Sequence, residues 1–227
     1  MSRAHYQVLA HLFEYPNALF PERVRSVRAS LADAHPEASE FIDTFVALLP
    51  ETDLHMMQEL FTRSFDVLAV TTLDIGYVLF GDDYKRGELL SNLNREHIAH
   101  QVDRGHELAD HLPNVLKLLA KLTDEELVTE LVEEILAPAV FRMIGEFDDR
   151  RIDKKNKAYK KHYKTLIDAA SRSRQVATLY QHPLRALYAV LKEDFNVVDR
   201  VPITDTSGFL NAVSSENAIE EKANAYY

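Results

Sequence analysis

The chain contains no cysteine. This excludes disulfides, thiol nucleophiles, thiolate-held zinc and cysteine-held iron–sulfur clusters. No window approaches the roughly 18 apolar residues of a membrane span. The opening residues Met1-Ser2-Arg3-Ala4-His5-Tyr6-Gln7 lead into an amphipathic pattern and lack the apolar core of a secretory signal, so a cytoplasmic protein without membrane insertion is expected. Positive charge is in deficit, with 26 Lys and Arg against 36 Asp and Glu and a formal net charge of -10. Such a surface disfavours nucleic acid or an anionic membrane as partner and favours basic or neutral ones. Glycine is scarce as well, yet four of the six, Gly76, Gly81, Gly87 and Gly105, fall between residues 76 and 105. In a helical chain that concentration marks turns or close backbone approaches.

What the chain does have is ordinary globular material, 46% hydrophobic and 27% charged over 227 residues, enough for one sizeable core. The periodicity predicts helices over about 3–14, 20–34, 37–49 and 52–66, with Pro21 and Pro36 near helix starts, where a missing N–H costs nothing. The β-branched stretch Val70-Thr71-Thr72-Leu73-Asp74-Ile75, within 67–80, reads as a loop with a short helical turn, because nothing else in the chain offers it a strand partner. A long helix over about 83–102 would carry Leu89, Leu90, Leu93 and His97 on one face, and Pro113 would sit early in a helix with Val115, Leu116, Leu118 and Leu119. Thr123 and Glu126 have capping-box spacing, Leu127, Leu131 and Ile135 recur at i, i+4, and Pro138 is expected to break or kink that helix. A helix pair over about 160–178 and 183–194 follows. The predicted organisation is an all-α single-domain helical bundle over 1–201, with a Ser/Thr/Asn/Glu-rich tail over 202–227.

The candidate chemistry is sparse. His97, His100, His106 and His111 lie among acidic residues, but His106 and His111 are five apart, about 140° on a helix, where a zincin needs the 40° of i and i+4. No Glu-x-x-His pair for a di-iron bundle is present, so no metal site is assigned. Between Gly81 and Gly87 five residues intervene and Glu88 follows, which is not a phosphate loop. No catalytic triad or carboxylate pair can be picked out by spacing, and an enzyme is not the expected class. The eight Lys and Arg residues within 148–164 read as a solvated face or linker, or as an adaptor surface. Phe61, Phe65, Tyr77, Phe80 and Tyr84 read either as core or as the apolar floor of a peptide groove, with Asp66, Arg86, Asp110 and His111 close by in sequence.

Three strings stand out: Gln58 to Asp66, Gly76 to Gly87, and Glu107 to Pro113. In order and spacing they resemble the NarJ/TorD/DmsD family of assembly chaperones for molybdenum oxidoreductases, NarJ most of all. Phe65-Asp66 is similar to the end of that group's Tyr-Val-x-Thr-Phe-Asp element. Tyr77 and Gly81-Asp82 through Arg86-Gly87 resemble its Tyr-then-Gly-Asp-x-Arg-x-Arg-Gly element, and Glu107 to Pro113 its Glu-Leu-Pro-Asp-His-Leu-Pro. The chain departs from this pattern at Asp83-Tyr84, where the first arginine is missing, and at Ala109, where proline is usual. The resemblance implies a TorD-like helical bundle that binds the N-terminal leader of a catalytic subunit, from a nitrate reductase or a related type II molybdenum enzyme. It would assist cofactor insertion before targeting, with cofactor-delivery proteins as further partners. No cofactor would be bound permanently; the client carries the molybdenum cofactor. The peptide-binding residues so implied are Phe61, Phe65, Asp66, Tyr77, Phe80, Tyr84, Arg86, Glu107, Asp110, His111 and Pro113, with Asp66 and Asp110 as rim carboxylates for leader arginines. A helical adaptor for another complex and a metal-dependent helical enzyme are the alternatives.

Overall fold

The computed structural model describes residues 3–67, 69–148, 150–152 and 178–197. The expected helix over 160–178, most of the basic 148–164 segment and the 202–227 tail lie outside the described residues. Among those described there are ten α-helices and no strand: α1 His5–Leu9, α2 Phe20–Leu31, α3 Pro36–Leu48, α4 Leu54–Phe65, α5 Ile75–Phe80, α6 Tyr84–Ala99, α7 Leu112–Leu119, α8 Glu125–Glu130, α9 Ala137–Glu146 and α10 Gln181–Phe195. The fold is the all-α bundle that the periodicity predicts.

The central element is α7. Every residue of it except Lys117 is buried, as a helix surrounded on all sides must be. It packs against α1, the 3₁₀ turn Ala10–Phe13 that continues α1, and α6. On the other side of the bundle α10 lies between α3 and α9, and α2 joins α3 to the N-terminal segment. Tyr6, Leu12, Phe13, Phe20, Phe45, Leu116 and Leu187 belong to one continuous core, each large apolar side chain stabilising by roughly 1.5–3 kcal/mol.

Helix starts follow local chemistry. Pro36 occupies the first position of α3, and Pro21 and Pro113 the second of α2 and α7, where no intrahelical donor is needed. Asp53 and Asp83 cap α4 and α6 by accepting from Met56 N and Lys85 N. Three local expectations are corrected. Asp124, not Thr123, caps α8, its Oδ1 accepting from the amides of Glu126 and Leu127. Pro138 does not end the helix: α8, a π-helical turn Leu131–Leu136 and α9 follow one another without interruption, and the π-helical turn is the irregularity that accommodates the proline. The Val70–Ile75 stretch is the expected loop leading into the short α5, and only its lack of a partner is corrected: Ile75 N donates to Asp110 O at 3.0 Å and Leu112 N to Leu73 O at 2.8 Å, one isolated antiparallel bridge between Asp74 and His111.

Candidate functional site

A cleft of about 470 Å³ opens beside α4 and α7. Its apolar surface comes from Phe13, Tyr15, Phe61, Phe65, Leu73 and Pro113. Phe61 and Phe65 are four apart on α4 and so share a face. Their rings meet at 5.2 Å, and Tyr15 closes edge-on to Phe61 at 5.5 Å. From below, Tyr180 sets its ring against Phe61 at 5.6 Å and Phe65 at 5.0 Å. Aromatic pairs in this tilted, edge-to-face arrangement hold one another rigid. The floor is therefore preformed.

The rim is polar and mostly acidic, with Glu14, Asp66, Asp74 and Glu107 beside His111 and Lys117. Two of the carboxylates are already neutralised. Glu14 accepts from Lys117 Nζ at 2.8 Å, Arg23 at 2.9 Å and His11 at 3.0 Å. Burial pushes its carboxyl up, but the hydrogen bonds from Lys117 and His11 outweigh that and hold it below the ordinary carboxylate range. Asp74 meets His111 Nδ1 at 3.2 Å and Arg86 Nη2 at 3.0 Å. The His111 hydrogen bond lowers its pKa against the opposing effect of burial, with Arg86 adding to the depression. Asp66, by contrast, is exposed and forms no ion pair among the described residues, and the Glu107 side chain is 63% exposed with His111 only at 4.0 Å. These two charges are the ones open to a partner.

Behind the rim the second and third strings meet, with Asp74 between them. Arg86 on α6 directs Nε to Asp110 Oδ2 at 2.9 Å and Nη2 to Asp74 at 3.0 Å, while Asp74 reaches His111. Gly76 explains why glycine stands there: a Cβ would lie 2.6 Å from Asp110 Oδ2 and 3.0 Å from a Leu89 methyl. Gly81 and Gly105 have φ of +61° and +59°, left-handed values that glycine accepts without strain. Three of the four concentrated glycines thus have a cause in close approach or turn geometry, while nothing in the structure explains Gly87, which lies within α6 with open space around it.

Of the residues singled out in sequence, Phe61, Phe65, Asp66, Glu107, His111 and Pro113 come together on the cleft, while Tyr77, Phe80, Tyr84, Arg86 and Asp110 do not line it. Asp110 is not a rim carboxylate. Its side chain is fully buried and bound to Arg86, because Asp110 lies at the bridge that leads into α7. The five aromatics do not form one cluster either: Tyr77 is 44% and Tyr84 77% exposed, and Tyr77 packs its ring under Arg86 at 5.3 Å. Sequence reasoning passed over Phe13, Glu14, Tyr15 and Lys117. The first three stand where the 3₁₀ turn ends and the chain becomes extended, and Lys117 is the one charged position on α7, a signal that was available.

The histidines of the 97–111 region are dispersed among separate partners. His97 Nε2 donates to Ala109 O at 3.0 Å, His100 Nδ1 bonds Glu96 O at 3.0 Å, and His111 faces Asp74. Side chains able to ligate a metal gather instead at His5, His35 and Asp194, none of which lines the cleft. The cleft combines a rigid apolar floor with open carboxylates, an arrangement that binds an extended or helical segment carrying basic and apolar side chains. No family model and no curated protein sequence matches the chain.

Proposed function

We propose that this protein is a cytoplasmic chaperone that captures the N-terminal leader of a molybdenum-enzyme catalytic subunit, a nitrate reductase or a related type II enzyme, and holds it during cofactor insertion and before targeting. The observation that carries this reading is the cleft, where Phe61 and Phe65 form a fixed aromatic floor and Asp66 and Glu107 leave unneutralised charge at the rim. A leader with arginines ahead of an apolar stretch matches both parts. Further support comes from the resemblance of the three strings to NarJ-type chaperones, since two of them, Gln58 to Asp66 and Glu107 to Pro113, contribute Phe61, Phe65, Asp66, Glu107, His111 and Pro113 to one surface. At about 470 Å³ the cleft falls within the range of roughly 300–1,000 Å³ typical of binding pockets, so it takes a few side chains of a peptide and not a folded client. In this reading the protein is not an enzyme, and the molybdenum cofactor belongs to the client.

The test is a calorimetric titration with leader peptides of candidate molybdenum subunits, using a scrambled peptide as control. One leader is expected to bind saturably with micromolar affinity or better. Exposed ion pairs are each worth up to about 1 kcal/mol, so Asp66→Asn with Glu107→Gln is expected to weaken binding by about threefold to tenfold and to flatten its salt dependence. Affinity and salt dependence that stay the same in this double variant would remove the electrostatic half of the reading, and no binding to any leader would remove the whole.

A further inference from the structure

We propose that His5, His35 and Asp194 form a binding site for a divalent cation of the zinc class, which ties α1 to α10. This site is independent of the cleft and of the chaperone reading. One ligand atom from each residue lies within 4.8 Å of the others. His5 Nε2 is 2.7 Å from Asp194 Oδ2, and His35 Nε2 is 3.5 Å from Asp194 Oδ1. With metal–nitrogen bonds of about 2.0–2.1 Å, neighbouring ligands of a tetrahedral ion stand roughly 3.3 Å apart, so small side-chain rotations close the set.

What separates this group from an ordinary surface ion pair is its second layer. His35 Nδ1 lies 2.9 Å from Glu193 Oε2. A hydrogen bond donated from Nδ1 to that carboxylate leaves the lone pair on Nε2, the nitrogen that faces Asp194. This carboxylate–histidine arrangement is the one that orients imidazole ligands around zinc. The buried Tyr6 hydroxyl donates at 2.8 Å to Oδ2 of Asp194, the oxygen that His5 also meets, and helps to hold the carboxylate, whose Oδ1 faces His35. The His35 side chain is 9% exposed, whereas His5 and Asp194 are each 22% exposed, which leaves a route for the ion and room for water in a fourth position. Two imidazoles and one carboxylate suit zinc and its neighbours better than calcium or magnesium. Glu193 and Asp194 together balance a double positive charge.

His5 and Asp194 are 189 residues apart. A metal clip across so long a chain segment removes much freedom from the unfolded state, so the ion is expected to act as a staple.

The experiment is calorimetry with Zn²⁺ on the full-length, tag-free protein after chelator treatment, with melting temperature as a second readout. One saturable site of micromolar affinity or better is expected, together with a rise in melting temperature. His5→Gln and Asp194→Asn are each expected to lower affinity by at least roughly tenfold, and Glu193→Gln by about tenfold through loss of ligand orientation. His5 is partly exposed, and in Asp194→Asn the side-chain amide oxygen can still accept from Tyr6, so both ligand variants should retain the helical circular dichroism of the parent. Should Asp194→Asn fail to fold, His5→Gln decides alone. A visible spectrum of tetrahedral type with Co²⁺, lost in His5→Gln, would add support. Absence of saturable binding in the parent would overturn the proposal, and so would unchanged affinity in the ligand variants, because the ion would then sit on other histidines.

Discussion

Asp110 carries a charge with no exposed side-chain surface, and Arg86 accounts for both of its oxygens, at 2.9 and 3.4 Å. A guanidinium stripped of that partner would remain mostly buried against Gly76 and Asp74. Because Asp74 still pairs with Arg86, Asp110→Ala is expected to lower the unfolding free energy by about 1.5–3 kcal/mol, seen as a fall in the urea midpoint at unchanged slope. Asp66→Ala, on an exposed side chain without an ion pair among the described residues, should change it by no more than about 0.5 kcal/mol. Equal effects from the two substitutions would contradict the division between a structural and a rim carboxylate. Both aspartates stood out in sequence within the same kind of motif. A motif shows that a residue is constrained; burial decides whether the constraint is a ligand or the fold.

Among the elements, α8 shows how a helix start can be legible and still be misplaced by one residue. Thr123-Asp124-Glu125-Glu126 offers two adjacent cap residues, and the chain direction selects Asp124, whose Oδ1 reaches two amides at 3.0 and 3.2 Å. Asp124→Ala should cost about 0.5–2 kcal/mol in urea unfolding, and Thr123→Ala only a few tenths. The reverse order would restore the capping box. Proline marked the starts of α2, α3 and α7 correctly because its effect is local. Pro138 was harder to read, since whether proline breaks a helix depends on the turn before it, and here that turn is π-helical. The bridge at Asp74 was not legible at all. Two backbone hydrogen bonds between segments distant in sequence leave no pattern in either.

At the scale of the whole molecule, acid should act in two stages. His97 is buried with Nδ1 unpaired among the described residues, and burial holds its pKa below the ordinary 6.5; His182 is depressed chiefly for the same reason. Between the lowered folded value and 6.5 the unfolded chain binds more protons, so stability falls as pH drops through that window. Glu14 and Asp74 act lower down: both are held below their ordinary values, so the stability they add is full above about pH 4 and is lost as pH falls through their folded values. Urea midpoints should be level above about pH 7, decline as pH falls below the ordinary histidine value of about 6.5, and drop again below about pH 4. His97→Gln should shrink the first decline; a first decline of full size in that variant would shift the cause elsewhere.

The bundle itself was legible because hydrophobic periodicity is repeated in every helix. The cleft was legible only in part, since its floor and rim draw on residues that share no neighbourhood in sequence, such as Tyr15, Phe61 and Lys117. Tyr77 and Tyr84 misled for the converse reason: they are near Phe80 along the chain yet largely exposed.

The Asp74–His111 bridge also makes residues 74–111 a ring closed at its neck, with α5 and α6 inside it. Ring closure depends only logarithmically on length, so even doubling the ring would cost only about 0.6 kcal/mol. Extra residues at the exposed turn around Gly105 would enlarge the ring on the side away from the bridge. The cleft wall, formed at the neck, would keep its shape while the chain beyond it grew.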